Sequence, residues 1–165
     1  PPEEDEFSLP VEIGRGVLLK SFAKDSENCD TLFVCTGGIF REVKEAVEIL
    51  HNGIDNQVVN CHIYNLRFLK PLDKNYFLEI VKPYKNIIFV EDGIRIGGIG
   101  TYLESLLQRS YVGKKTAVCG FPDKFIPQGK RNDILENAHL SPDYLAKKVI
   151  RLREDTSFNQ NGWNK

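Results

Sequence analysis

Short apolar runs without intervening polar residues mark the buried strands of this chain. The clearest is Ile-Ile-Phe-Val at residues 87–90, and Leu-Phe-Val-Cys at residues 32–35 is of the same kind. A run that is apolar at every position is typical of a strand covered on both faces, as in a parallel sheet between two layers of helices. The pattern predicts five strands, at residues 11–20, 31–35, 57–64, 87–90 and 116–120.

Apolar residues at helical spacing fill the segments between the strands. From residue 39 to residue 50 they recur every three or four positions, and Gly53 then supplies a stop signal. Asp73 and Ser141 stand where a side chain can cap the start of a helix. Two further helices are predicted, one from the glycine-rich turn at residues 97–100 to about residue 109 and one at residues 132–137.

The alternation of strands and helices predicts a three-layer α/β/α fold with a five-stranded, mostly parallel sheet. Only a polar turn separates the first two predicted strands, so we expect a hairpin that makes the first strand antiparallel to the others. We predict a linker at residues 1–8, one domain at residues 9–153, and a disordered tail at residues 154–165.

Composition and charge exclude several classes of function. The 165 residues carry a formal net charge of −1, which gives no electrostatic footprint for nucleic acid or for an acidic membrane. No apolar run is long enough to span a bilayer. The cysteines form no Cys-x-x-Cys pair, so we expect reduced, mostly buried thiols and a cytoplasmic protein; they are Cys29, Cys35, Cys61 and Cys119.

The glycine-rich turn after the 87–90 strand is the first place to look for function. Gly97, Gly98 and Gly100 open the following helix, but Leu103 stands where a dinucleotide-binding fingerprint needs its third glycine. Backbone N–H groups at this helix start could hold an anion, and the Thr-Gly-Gly turn at residues 36–38 offers a second, similar site. The alternative is that bare backbone here permits close approach of another chain or domain.

The acidic pair Glu91-Asp92 follows the same strand. Neighbouring strand residues point to opposite faces, so the two carboxylates are poorly placed as a catalytic pair. We expect Asp92 to cap the turn and Glu91 to make a buried contact with Arg67 or Arg95. The surface predicted for interdomain or dimer contact therefore comprises Glu91, Gly97, Gly98, Gly100 and Arg67.

Catalytic and metal-binding motifs are lacking in the sequence. His51, His62 and His139 are scattered, without the spacing of a zinc site, and His62 is expected to be a hydrogen-bonded structural residue. Neither a Walker loop nor a Gly-x-Ser-x-Gly elbow is present. The residues themselves thus predict a scaffold with no catalytic, cofactor-binding or metal-binding side chain.

Three segments together carry a resemblance to a known family. They are Leu-Arg-Phe-Leu-Lys-Pro-Leu-Asp at residues 66–73, Phe-Val-Glu-Asp-Gly with Gly-Gly-Ile-Gly at residues 89–100, and Phe-Pro-Asp-Lys-Phe-Ile-Pro-Gln-Gly at residues 121–129. In this order they resemble the C-terminal, third domain of deoxyxylulose phosphate synthases, which belong to the transketolase family. The first segment also resembles the matching domain of 2-oxoacid dehydrogenase E1 β subunits.

The resemblance implies a parent transferase that condenses pyruvate with glyceraldehyde 3-phosphate for isoprenoid and thiamine synthesis. It implies thiamine diphosphate and magnesium as cofactors, held by domains that precede this one. The implied partners are those missing N-terminal domains, in a parent that is a homodimer. The fragment itself would be an inactive structural and dimer-contact domain.

Two alternatives remain open from the sequence. One is the C-terminal domain of a 2-oxoacid dehydrogenase E1 β subunit, with the same architectural role. The other belongs to a different class: a stand-alone regulatory module that holds a phosphorylated metabolite on its two glycine turns.

Overall fold

A computed structural model describes residues 10–20 and 28–155. Its centre is a five-stranded sheet with the spatial order β1-β3-β2-β4-β5. The strands are β1 (Val17–Leu19), β2 (Thr31–Thr36), β3 (Cys61–Asn65), β4 (Asn86–Ile94) and β5 (Lys115–Phe121). Strands β2 to β5 run parallel, and β1 is antiparallel to β3, so the predicted fold class is confirmed.

Five α-helices and one short 3-10 helix connect the strands in the described part of the chain. The 3-10 turn Gly37–Ile39 leads directly into α1 (Phe40–Asn52), which ends at Gly53 as predicted. Asp73 caps the next helix, α2 (Lys74–Val81), through a hydrogen bond from the backbone N–H of Tyr76. The remaining helices are α3 (Ile99–Ser110), α4 (Arg131–Asn137) and α5 (Pro142–Glu154).

The sheet is covered on both faces, which explains the apolar runs. On β2, Phe33 and Cys35 pack under α1, α4 and α5, whereas Leu32 and Val34 pack under α2 and α3. Neighbouring residues therefore enter two different cores, and a polar residue at either position would be buried without a partner.

The predicted hairpin between the first two strands is wrong. Strand β2 is hydrogen-bonded on both sides, to β3 and to β4, so it has no free edge for β1. Strand β1 instead pairs with the open edge of β3, with Val17 opposite Asn65. The antiparallel direction was predicted correctly, but the neighbour was not.

Strand limits differ from the prediction where local turns use up backbone hydrogen bonds. The third strand begins at Cys61 rather than at residue 57, because Gln57 exchanges backbone bonds with Ile54 around a tight turn. Val58 is consequently 66% exposed. Strand β4 runs past Val90 to Ile94, with an irregularity in its register against β5 between those residues.

Both chain ends fall largely outside the described residues. The predicted linker at residues 1–8 lies outside them, as does the predicted tail from residue 156 onward. Within the described part, Glu154 is the last residue of α5. Ser141 stands at the predicted start of that helix, but its hydroxyl makes no capping hydrogen bond.

Candidate functional site

The two glycine turns lie at the same edge of the sheet, beyond the carboxyl ends of β2 and β4. In this parallel pair Thr36 lies opposite Glu91, so the turn after β2 and the acidic pair on β4 share one edge of the sheet. That edge is where α/β sheets of this kind usually place their ligands or partners. The predicted contact residues lie at this edge: Arg67 follows the end of the parallel strand β3, and the others lie at or after the end of β4.

Glu91 closes the start of α3. Its side chain is buried, and one carboxylate oxygen, Oε2, accepts a 3.0 Å hydrogen bond from the backbone N–H of Ile99. A carboxylate at a helix N-terminus satisfies an otherwise unpaired N–H and lies at the positive end of the helix dipole. The chain thus supplies the anion that this turn is suited to bind.

Asp92 also accepts a hydrogen bond from a backbone N–H group, on the opposite face of the sheet. Its Oδ2 accepts a 3.1 Å hydrogen bond from the backbone N–H of Gly38, in the 3-10 turn that precedes α1. The prediction that the two neighbours point apart is correct, and Asp92 does hold a turn. That turn follows β2, however, and not β4.

Close approach to Glu91 requires glycine at position 98. A Cβ added to Gly98 would lie 2.2 Å from Oε1 and 2.3 Å from Oε2 of Glu91, well inside van der Waals contact. Gly97, one residue earlier, has a φ of 76°, in the left-handed region that favours glycine. Gly100 is also confined, since its Cβ would lie 2.8 Å from Val118.

The electrostatic state of Glu91 reflects its burial. Burial raises the pKa of the Glu91 carboxyl, and the backbone N–H groups of Ile99 and Gly100 oppose that rise. The second oxygen, Oε1, is buried without a hydrogen-bond partner. One carboxylate oxygen is therefore hydrogen-bonded and the other is not, so the cost of burying the charge is only partly offset.

Glu91 bonds to backbone N–H groups and not to the predicted arginine. The groups that bond the carboxylate are N–H groups of α3, whereas Arg67 is half-buried in the bend after β3 and Arg95 is exposed beyond β4. Helix N-termini satisfy a carboxylate without any cation, and the sequence gives no direct sign of which donor will be closer.

A further ionic contact at this edge escaped the sequence analysis. Arg131, at the start of α4, bonds the buried carboxylate of Glu42 and donates a 3.0 Å hydrogen bond to the carbonyl of Gly38. It thereby fixes α4 to the same turn that Asp92 holds. Glu42 and Gly38 are both far from Arg131 in sequence, so only the fold brings them to it.

An apolar cleft lies beside the glycine-rich turn. Its volume is about 680 Å³, and we call it the contact cleft. Leu69 and Tyr102, on its walls, are 47% and 44% exposed. Apolar side chains grouped in this way are typical of a surface that meets a partner. The residues that define the contact cleft are mostly apolar, with two lysines among them: Leu69, Lys70, Leu72, Lys74, Gly97, Gly98, Ile99 and Tyr102.

The remaining candidate side chains have structural surroundings. His62 is buried, and its Nδ1 lies 2.7 Å from the hydroxyl oxygen of Tyr84, as expected for a structural histidine. Cys35 and Cys61 are buried free thiols, and Cys29 and Cys119 are half-buried. Across residues 10–20 and 28–155, no three His, Cys, Asp or Glu side chains are grouped so as to hold a metal ion. In the same ranges no helix has the length and apolar character needed to cross a membrane.

The fold and the strand-end bonding define a three-layer α/β domain whose carboxyl edge is held together by its own side chains. Residues 21–145 match the family model of the transketolase C-terminal domain. The chain belongs to this transketolase C-terminal domain family.

Similar sequences are 1-deoxy-D-xylulose-5-phosphate synthases. The protein of that name from Treponema pallidum is 43% identical over 149 residues, which is 90% of this chain and 22% of the relative. The one from Alkaliphilus oremlandii is 29% identical over 88% of this chain and 22% of its own length. The chain thus spans about a fifth of the length of these relatives.

Solved structures confirm the fold. A split-gene transketolase, in an inactive beta4 tetramer, superposes with a TM-score of 0.67 at 21% identity, over 89% of this chain and 46% of that one. A transketolase from Pichia stipitis in complex with sedoheptulose 7-phosphate gives a TM-score of 0.55 at 17% identity, over 79% of this chain and 17% of that one.

Proposed function

We propose that this chain is the C-terminal domain of a 1-deoxy-D-xylulose-5-phosphate synthase and that its role is architectural. The parent enzyme would be a homodimeric, cytoplasmic transferase that condenses pyruvate with glyceraldehyde 3-phosphate for isoprenoid and thiamine synthesis. The likeness to synthases over 90% of the chain favours this parent over an E1 β subunit.

The contact cleft is the observation that carries the proposal. It combines exposed leucine and tyrosine side chains with the bare backbone of Gly97 and Gly98, on the edge of the sheet where partners usually bind. Burial of this surface against another domain would remove apolar area from water. Because the chain spans only 22% of the length of its relatives, the occupant that we propose is the rest of the parent enzyme.

This edge does not fit thiamine diphosphate with magnesium. Glu91 and Asp92 already accept hydrogen bonds from the N–H groups at both glycine turns, so a diphosphate there would meet two carboxylates. The same bonding argues against the stand-alone module that holds a phosphorylated metabolite on these turns. The proposal therefore assigns the cofactors to domains outside this chain and no catalytic step to the chain itself.

A chimaeric enzyme tests the architectural role. The matching segment of the Treponema pallidum synthase is replaced by this chain, and synthase activity and dimerisation are measured. We expect an active chimaera that loses at least about tenfold in activity when Leu69→Glu and Tyr102→Glu together place two charges in the contact cleft. Val112→Glu is the control, because Val112 is 101% exposed and does not line the cleft.

Two results would overturn the proposal. One is a chimaera in which the double glutamate variant is as active as the Val112→Glu control. The other is tight, one-site binding of thiamine diphosphate and magnesium by the isolated chain in a calorimetric titration. Unfolding midpoints of the isolated variants show whether a lost activity comes from a lost fold.

A further inference from the structure

A second cavity lies beside β5, at the outer edge of the sheet. Its volume is about 300 Å³, and it forms where the carboxyl end of β5, the loop after it, the end of α4 and one face of α5 meet. Strand β5 is the last strand of the sheet on this side, and no further strand of residues 10–20 and 28–155 covers it. We call it the basic cavity, lined chiefly by Arg95, Cys119, Lys124, His139, Tyr144 and Lys148.

Three cationic side chains point to an anionic occupant. Arg95 comes from the turn after β4, Lys124 from the loop after β5, and Lys148 from α5, so the charges approach from three directions. No carboxylate lines the cavity. In the described residues, no ion pair or side-chain hydrogen bond engages these three cations. A concave site lined by one sign of charge attracts ions of the other.

The half-buried thiol on the cavity wall responds to the same charges. Burial raises the pKa of Cys119 to about 11, while Lys148 and Arg95 act to lower it. Both cations therefore lie close enough to β5 to act on a group of the cavity wall.

Backbone and ring contacts connect several of the elements that form the basic cavity. The backbone N–H of Arg95 donates a 2.9 Å hydrogen bond to the carbonyl of Phe121, which ties the turn after β4 to the end of β5. His139, in the left-handed region at φ 60°, stacks on Tyr144 with ring centres 4.2 Å apart. Lys148 lies one helical turn beyond Tyr144 on the same face of α5. Backbone elements that are already connected lose little further conformational entropy on binding.

We propose that the basic cavity binds a small phosphate monoester. A phosphoryl group carries close to two negative charges at neutral pH and presents oxygens in several directions, which suits cations that converge from three elements. A planar carboxylate carries one charge and would engage fewer of them. The volume lies at the lower limit for small-molecule sites, so the rest of the ligand is a short carbon skeleton. This inference does not depend on the architectural role proposed above.

Calorimetric titration of the 165-residue chain with glycerol phosphate tests the proposal. The buffer is held at pH 7.5 and constant ionic strength, so that general screening by salt does not change along the titration. We expect saturable binding at one site, with inorganic phosphate weaker and malate, a dicarboxylate, weaker still. Arg95→Gln and Lys148→Gln should each reduce affinity at least about tenfold, because each removes a charge-assisted hydrogen bond.

The control is Lys147→Gln, which makes the same change in net charge at an exposed neighbour of Lys148 outside the cavity. It should bind glycerol phosphate like the unaltered chain. No saturable binding tighter than about 10 mM would overturn the proposal. So would an equal loss of affinity in Lys147→Gln, unchanged affinity in both cavity variants, or malate binding as tightly as glycerol phosphate. If Arg95→Gln does not fold, Lys148→Gln alone decides, since its unfolding midpoint can be compared directly with that of Lys147→Gln.

Discussion

Replacement of Gly98 by alanine tests the reading of the glycine-rich turn most directly. The added Cβ would lie 2.2 Å from Oε1, 2.3 Å from Oε2 and 2.4 Å from Cδ of Glu91. Carbon and oxygen do not approach so closely, so the carboxylate must move by roughly 1 Å. That movement breaks or stretches the 3.0 Å hydrogen bond from the N–H of Ile99.

The expected loss follows from the bond that is displaced. A hydrogen bond to a buried charged group contributes about 1.5–3 kcal/mol, and the displaced carboxylate must find another partner or reach water. Alanine recovers roughly 0.5–1 kcal/mol by restricting the unfolded chain. The net destabilisation should be about 2 kcal/mol, which lowers the melting temperature of a domain this size by roughly 4–8 °C.

Urea and thermal unfolding followed by circular dichroism measure this change. Gly93→Ala is the matched control, because its Cβ would lie 3.9 Å from Glu91, at ordinary contact distance. A double-mutant cycle with Glu91→Ala isolates the clash: without the carboxylate, Gly98→Ala should cost about 1–2 kcal/mol less. Additive losses, or equal losses for Gly93→Ala and Gly98→Ala, would refute the argument that Glu91 dictates the glycine.

Three further predictions concern buried polar groups. Burial raises the pKa of Glu91 above its usual 4.5, so its contribution to stability is present at lower pH and is lost as pH rises through the folded-state pKa. The unaltered chain should therefore lose stability relative to Glu91→Gln from about pH 4.5 towards neutral. Urea titrations in which the difference in unfolding free energy between the two chains moves the other way would contradict this. Tyr64→Phe removes the hydroxyl that accepts a 2.8 Å hydrogen bond from the N–H of Gly16. It should lower the free energy of unfolding by about 1–2 kcal/mol and speed the hydrogen exchange of that amide. Unchanged exchange by NMR would speak against the contact. Cys35 and Cys61 are fully buried, and burial raises the pKa of Cys35 to about 12, so Ellman's reagent should modify them only as fast as the chain unfolds; rapid modification of every thiol in the native state would exclude this burial.

Much of the fold could be predicted because the local signals agreed with one another. The apolar runs indicated strands covered on both faces, and the stop at Gly53 and the cap at Asp73 are where the sequence predicted them. The neighbour of β1 could not be predicted, since its choice depends on which strand keeps an open edge after the parallel sheet has formed. The late start of β3 depends on a turn at Ile54 and Gln57, whose hydrogen bonds compete with the ladder.

The sequence predicted that Glu91, Asp92 and the glycine turns lie at strand ends, but it did not predict their hydrogen bonds. Adjacent carboxylates at a strand end, with a glycine turn on either side of the sheet, are a usable signal that each one closes the turn on its own face. We predicted an arginine partner for Glu91 because a residue of opposite charge is the partner most easily recognised in a sequence. Every residue except proline has a backbone N–H group, so the sequence does not show which of them will bond a carboxylate. Only the packing of α3 on β4 and β5 shows this.

By itself, the sequence determined which segments are strands, which are helices and that the sheet lies between two helical layers, since these follow from local periodicity and from burial on both faces. Only the tertiary structure decided which groups meet: Glu91 with the amide of Ile99, Asp92 with that of Gly38, and the convergence of three cations beside β5. The physical reason is that a hydrogen bond or a shared cavity depends on distances of a few ångströms between residues far apart in the chain. Those distances are set by strand order and helix packing, and no local pattern of residues records them.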